Sequence, residues 1–161
     1  MKKAFLLIIC VIFLTSCSKV PLYNEDGTVK QAQFINFNQN QTEMAINELI
    51  NSLISTNLLK QSSRNRNVVA IDDVLNLTNS QIDTDYFTKK VRTSMLNSGK
   101  VVVTKVLDES YQSSKSSIYS PNFILNSKIQ NNNGDFLLQL SLMNPKNGNI
   151  LWKDEKVLVK G

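Results

Sequence analysis

Residues 68–106 read VVAIDDVLNLTNSQIDTDYFTKKVRTSMLNSGKVVVTKV, and this stretch decides the fold. Val68-Val69-Ala70-Ile71 is a short apolar run of the length and β-branched content of a buried strand. Asp72-Asp73-Val74-Leu75 carries it outward, and Asn76-Leu77-Thr78-Asn79-Ser80-Gln81 is a turn-rich connection. Phe87, Val91 and Met95 then recur every four residues with Leu96 beside them, which predicts a helix over Thr84–Ser98. Asp83 and Asp85 favour its positive N-terminal end, Lys89, Lys90 and Arg92 come later, and Gly99 suits the position just past its end. Lys100–Val106 is a second strand. A strand, a helix and a strand at this spacing predict two parallel strands joined by a right-handed crossover.

Downstream, residues 108–120 are a Ser-rich interlude with room for one helical turn. Asn122–Gln130 is a strand, and Asn131-Asn132-Asn133-Gly134-Asp135 is a hairpin signal. Phe136–Met143 returns with Leu138, Leu140 and Leu142 alternating. Pro145-Lys146-Asn147-Gly148 is a turn whose Asn-Gly suits a tight hairpin, and Asn149–Val159 completes a three-stranded meander. Upstream, Ile46, Leu49, Ile50, Leu53, Ile54 and Leu58 form one stripe of a helix over Gln41–Lys60, with Asn40 as its cap and Glu43 at its third position. The polar segment 61–67 follows, where Arg64 and Arg66 can meet phosphate or carboxylate or simply line a solvated turn. The fold expected is α/β: a small mixed sheet of two parallel strands extended by an antiparallel meander, packed by two helices. The stripe of the first helix has to cover one sheet face.

The N-terminus carries a different message. Met1-Lys2-Lys3 opens a short apolar run that ends in Leu14-Thr15-Ser16-Cys17. A charged start, about a dozen apolar residues and small residues before the cut describe a secretory signal. The run is shorter than the ~20 residues that span a bilayer. It resembles a bacterial lipoprotein signal with its lipobox, which implies cleavage before Cys17 and lipid on the sulfur and new amino group of Cys17. Each buried methylene contributes about 0.8 kcal/mol, so several acyl chains anchor stably where one does not. Residues 1–16 are then the signal, 17–39 the lipidated N-terminus and tether, and 40–161 the globular domain. Phe34, Ile35 and Phe37 form an apolar patch near the end of the tether, placed to pack on the domain edge.

Composition narrows the chemistry. The 161 residues contain no histidine and two cysteines, of which Cys10 leaves with the signal and Cys17 takes lipid. Cys/His zinc sites and Ser-His-Asp or Cys-His catalysis are therefore excluded. Loss of Lys2 and Lys3 takes 18 basic residues to 16 against 13 acidic, a net +3, too mild to indicate a nucleic-acid partner. Asp72, Asp73, Asp83 and Asp85 are the densest acidic cluster, but a helix start and a strand end account for them. No phosphate-binding Gly-rich loop is present. Trp152 is either core packing for a strand or an anchor for a partner, the former being commoner. No catalytic residue, metal site or cofactor is expected beyond the covalent lipid.

Three ordered stretches carry a resemblance: Val68–Thr78, then Ile82–Asp85 running on to Leu96–Lys100, then Leu140–Lys156. With the lipobox, this order resembles the LpoB family of outer-membrane lipoproteins that activate bifunctional penicillin-binding proteins. The likeness covers roughly residues 41–160. It implies a non-enzymatic protein, lipid-anchored in the outer membrane and facing the periplasm, which docks on a noncatalytic domain of a peptidoglycan synthase. Ser18, following the lipidated cysteine, agrees with the outer membrane, since aspartate there tends to retain lipoproteins in the inner one. The tether is shorter than in well-known members, and the Ser-rich stretch is shorter than the helix they often carry there. Motif matching does not transfer docking residues; the exposed loop around Asn76, Thr78 and Asn79 is the candidate. The alternative function is an assembly subunit of an outer-membrane complex related in fold to curli-secretion lipoproteins.

Overall fold

The crossover comes out as the pattern requires. In the structure, a computed structural model that describes residues 33–60, 66–105 and 121–161, two helices and six strands follow one another. They are α1 (Gln39–Ser55), β1 (Asn67–Ile71), β2 (Leu75–Asn76), α2 (Thr84–Asn97), β3 (Val101–Lys105), β4 (Phe123–Asn132), β5 (Asp135–Met143) and β6 (Ile150–Leu158). The described residues all belong to one compact unit, Gln33–Gly161. The lipobox with Cys17, the tether up to residue 32, Arg64 and the Ser-rich stretch 108–120 lie outside the described residues.

Strands β1 and β3 pair in parallel, with Asn67 opposite Val101 and Ile71 opposite Lys105, and α2 connects them. The order across the sheet is β3-β1-β4-β5-β6, with the two-residue β2 pairing β4 off this path. Strand β4 runs parallel to β1 and β2 and antiparallel to β5, so it is the seam at which the sheet changes character. The fold is thus the mixed α/β sheet with two helices that the pattern implied.

Asn133 and Gly134 close the β4–β5 hairpin with φ of +53° and +94°, the left-handed pair a two-residue turn demands. The β5–β6 connection is wider than the tight Asn-Gly hairpin expected. Residues 144–149 form the loop, closed by the Asn144 N–H donating to the Asn149 carbonyl at 2.9 Å. Pro145 lacks the N–H a ladder needs, and a register shift at Leu142/Met143 skips Leu151, so the ladder ends at Met143 opposite Ile150, short of Asn147-Gly148.

Helix α1 also departs from its expected bounds. It begins at Gln39 with Asn38 as cap, whose side chain accepts from the Gln41 N–H at 3.1 Å, and Asn40 lies inside the helix. The physical reason is the neighbouring chain: the Asn38 N–H donates to the Val159 carbonyl at 2.9 Å, which fixes where extended backbone gives way to helix. The helix stops at Ser55 rather than Lys60. Ser55 and Thr56 turn their hydroxyls back onto the last carbonyls, with Thr56 Oγ1 donating to the Leu53 carbonyl at 2.6 Å. Leu58 and Leu59 reach the core from the turn beyond.

The apolar face of α1 (Ala45, Ile46, Leu49, Ile50, Leu53) packs with Phe87, Val91 and Met95 of α2. Both stripes meet Val69 and Ile71 of β1, Leu125 and Ile129 of β4, and Leu138, Leu140 and Leu142 of β5. At about 25 cal/mol per Å² of apolar area, this shared layer is the main stabilising contribution. Polar ties frame α1 on both flanks. Glu43 pairs with Lys90, and Ser94 Oγ donates to Asn47 Oδ1 at 2.7 Å, joining it to α2. Ser52 Oγ donates to Asp154 at 2.8 Å, and Lys156 meets Glu48 at 2.7 Å, joining it to β6.

Segment 33–38 is seated on this body. Ile35 is buried, and the Phe37 ring meets Phe87 and Phe136 edge-on with centroids 5.6 and 5.4 Å away. On one side it exchanges backbone hydrogen bonds with Gln81, and on the other with residues 159–161. Of the Phe34-Ile35-Phe37 patch, Ile35 and Phe37 therefore pack on the domain, and Phe34 stays exposed.

Candidate functional site

The segment from the end of β1 to the start of α2 is where the sequence placed its docking candidate, and α2 positions it. Thr88 is buried, and its hydroxyl accepts from the Val74 N–H at 2.9 Å. Arg92 Nη2 donates to the Ile71 carbonyl at 3.2 Å and to Asp73 Oδ1 at 2.9 Å. Strand β1 thus ends against two side chains of one helical face, and the chain is turned outward at Asp72. There, the Asp72 Oδ1 accepts from the Asp73 N–H at 2.9 Å.

Beyond β2, residues 76–80 fold on themselves. Asn76 Oδ1 accepts from both the N–H and the hydroxyl of Thr78, at 2.9 and 2.7 Å, and Asn76 Nδ2 donates to the Ser80 carbonyl at 2.8 Å. The Thr78 hydroxyl accepts in turn from the Ser80 N–H at 3.2 Å. This is an Asx turn closed by a second hydroxyl, chemistry that Asn and Thr favour locally. The Leu77 N–H donates to the Ile129 carbonyl at 2.8 Å, which holds the loop against β4.

Of the three candidates from sequence, Asn76 and Thr78 are half-buried and engaged in shaping the loop, and Asn79 is exposed at its tip. The sequence reading missed what the loop presents instead: Leu75 is 57% and Leu77 53% exposed. The signal was available, because two leucines flanking Asn76 in an otherwise polar segment have no periodic partner. Phe34, 57% exposed, bridges Gln81 at the end of the same loop. Exposed leucines on a loop pinned by internal hydrogen bonds make a preordered apolar surface, whose own ordering entropy is already spent before any binding.

The acidic cluster separates into structural roles. Asp73 serves Arg92 and, at 4.0 Å, Lys105, while Asp83 caps α2 by accepting from the Tyr86 N–H at 3.0 Å. Asp85 is exposed in the first turn of that helix. Among the described residues, no group of three His, Cys, Asp or Glu can hold a metal ion. Trp152 is half-buried against the core, opposite Leu142. Tyr86 lies edge-on to Phe87, and burial pushes its hydroxyl above the ordinary tyrosine pKa, the nearby Lys90 opposing this. Hydrogen bonding to Glu43 raises the Lys90 ammonium, and bonding to Glu48 raises that of Lys156. Among the described residues, no helix is long and apolar enough to cross a membrane.

Comparison with known proteins bears on the same residues. No curated protein matches the sequence. The LpoB C-terminal domain from Salmonella enterica superposes with a TM-score of 0.58 at 20% identity, covering 73% of this chain and 98% of that one. The corresponding domain from Escherichia coli gives 0.57 at 18% identity, over 74% and 98%. The NMR structure of E. coli LpoB also gives 0.57 and 18%, over 91% of this chain and 80% of that chain. At such identities these likenesses establish the shared fold. The family model described as "Peptidoglycan-synthase activator LpoB" matches residues 41–158, which run from the first turns of α1 to the end of β6. This chain belongs to the LpoB family of peptidoglycan-synthase activators.

Proposed function

We propose that this chain is a non-enzymatic activator of a bifunctional penicillin-binding protein. Lipid on Cys17 tethers it to the outer membrane facing the periplasm, and it works by docking on the synthase. The observation that carries the reading is the family match over residues 41–158. The lipobox ending at Cys17 supports the anchor and the compartment, and the lipid is the only added group. The docking face we assign is the loop 75–80, with Leu75 and Leu77 as apolar anchors and Asn79 as the exposed polar tip.

The test is reconstitution. Purified protein added to the host synthase accelerates glycan polymerisation and peptide crosslinking. Leu75→Lys with Leu77→Lys lowers the stimulation roughly tenfold, as expected for losing one or two well-buried apolar contacts. An unchanged response in that variant would move the docking face elsewhere, and no stimulation of any host synthase by folded protein would refute activation itself. Metabolic labelling with a fatty-acid probe should mark the protein and fail to mark Cys17→Ser.

A further inference from the structure

Where β1 and β3 begin, a shallow cleft of about 450 Å³ is lined by Ile54, Leu59, Lys60, Arg66, Gly99 and Lys100. Arg66 immediately precedes β1 and Lys100 immediately precedes β3. Asn67 pairs with Val101, so these two cations stand level with each other at the mouths of adjacent parallel strands, whose spacing is about 4.8 Å. Lys60 joins them from the turn after α1, where its N–H donates to the Asn57 carbonyl at 3.2 Å. Ile54 and the buried Leu59 supply an apolar floor.

No carboxylate lines this cleft among the described residues. The side chains of Lys60 and Arg66 make no hydrogen bond or ion pair among the described residues. The opposite end of the same two strands is different, since there Asp73 serves both Arg92 and Lys105. One end of the parallel pair is internally neutralised, and at the other Lys60 and Arg66 bring unpaired positive charge to the recess among the described residues.

We propose that this cleft binds a phosphate-bearing anion. The Arg66 guanidinium offers a planar fork of donors that suits an oxyanion in bidentate fashion, and the Lys60 ammonium beside it acts as a point charge. An anion seated between like charges relieves their repulsion, while the apolar floor excludes water beneath it. The site does not depend on the docking reading. Strand pairing places Arg66 about eleven residues along the sheet from Asn131, where Phe136 and Phe37 lie, roughly 35 Å away at ~3.3 Å per residue. The loop 75–80 sits towards that far end, beside Ile129.

The full chain in non-ionic detergent, isotope-labelled for NMR, tests this. One arm adds inorganic pyrophosphate. The other dopes the micelles with phosphatidylglycerol, against phosphatidylcholine as the neutral control. The expected result is a saturable shift of the Leu59, Gly99 and Lys100 amides, with affinity falling about tenfold for each of Lys60→Gln and Arg66→Gln. Both residues are exposed, and Lys89→Gln on the solvent side of α2 should leave the titration unchanged. Shifts with pyrophosphate identify free phosphate chemistry as sufficient, and shifts with phosphatidylglycerol alone identify a lipid headgroup as the source. Amides that stay put in both arms, or shifts that survive both substitutions, overturn the proposal whatever the synthase assay shows.

Discussion

The inner face of α1 and the loop 75–80 use the same side chains in opposite ways. Leu49 and Leu53 of the helix are fully buried, whereas Leu75 and Leu77 of the loop are more than half exposed. Polar groups are inverted as well. Asn47 and Ser52 on the rim of α1 reach across to α2 and β6, while Asn76 and Thr78 turn inward to bond their own loop. The difference shows how a small domain can keep apolar area exposed without drawing on its core. Apolar area on a helix is consumed by the core, and apolar area on a loop stays available only if hydrogen bonds within the loop hold it open.

The largest effect should come from the helix. Leu49→Ala removes a fully buried side chain from the layer shared by both helices and the sheet, and should cost about 2–5 kcal/mol. Thermal unfolding followed by circular dichroism should show a drop of roughly 10 °C or more. Asn76→Ala comes next, since it removes an acceptor that serves two donors and a donor to Ser80. A loss of about 1–2 kcal/mol is expected, with amide exchange accelerating first at Thr78 and Ser80. If exchange speeds up everywhere alike, the loop is not a separate unit and the contrast fails. Asp83→Ala, removing the α2 cap, should cost about 1 kcal/mol in a denaturant titration. Leu75→Lys should change folding stability by less than ~0.5 kcal/mol while weakening synthase stimulation, which is the sharpest form of the comparison.

The smallest effect concerns pH. Lys90, Lys156 and Tyr86 all hold their protons more tightly when folded than in the ordinary state, the lysines through Glu43 and Glu48 and the tyrosine through burial. Groups with raised folded pKa values stabilise fully below their unfolded values and lose that contribution as pH climbs through the folded ones. Melting temperatures should therefore show the full, pH-independent contribution of these three groups through neutrality and a decline from them only above the ordinary tyrosine and lysine range. A decline from these groups beginning near pH 8 would contradict the assignment.

The crossover and the meander could be read because their punctuation is local. Asp83 before the Phe87-Val91-Met95 stripe, Gly99 after it, and Asn133-Gly134 between alternating runs each fix backbone geometry with a few neighbouring atoms. What was misplaced depends on distant partners. Asn38 and Asn40 are equivalent caps in sequence, and only the bond from Asn38 to Val159 chooses between them. Strand β2 is two residues long with an outward leucine, so no periodicity can reveal it; it exists because β4 offers Lys128 and Ile129 as pairing sites. The candidate loop was located correctly as a turn, but the direction of each side chain follows from the Asx network, and spacing alone does not carry that.

The seating of residues 33–38 has a mechanical consequence. This ribbon is gripped on one flank by Gln81 and on the other by residues 159–161. Tension applied through the N-terminal segment therefore loads two sets of backbone bonds in parallel before it reaches the helices. Parting them would also separate the Phe37 ring from Phe87 and Phe136, so the pull would reach the core through this one aromatic contact.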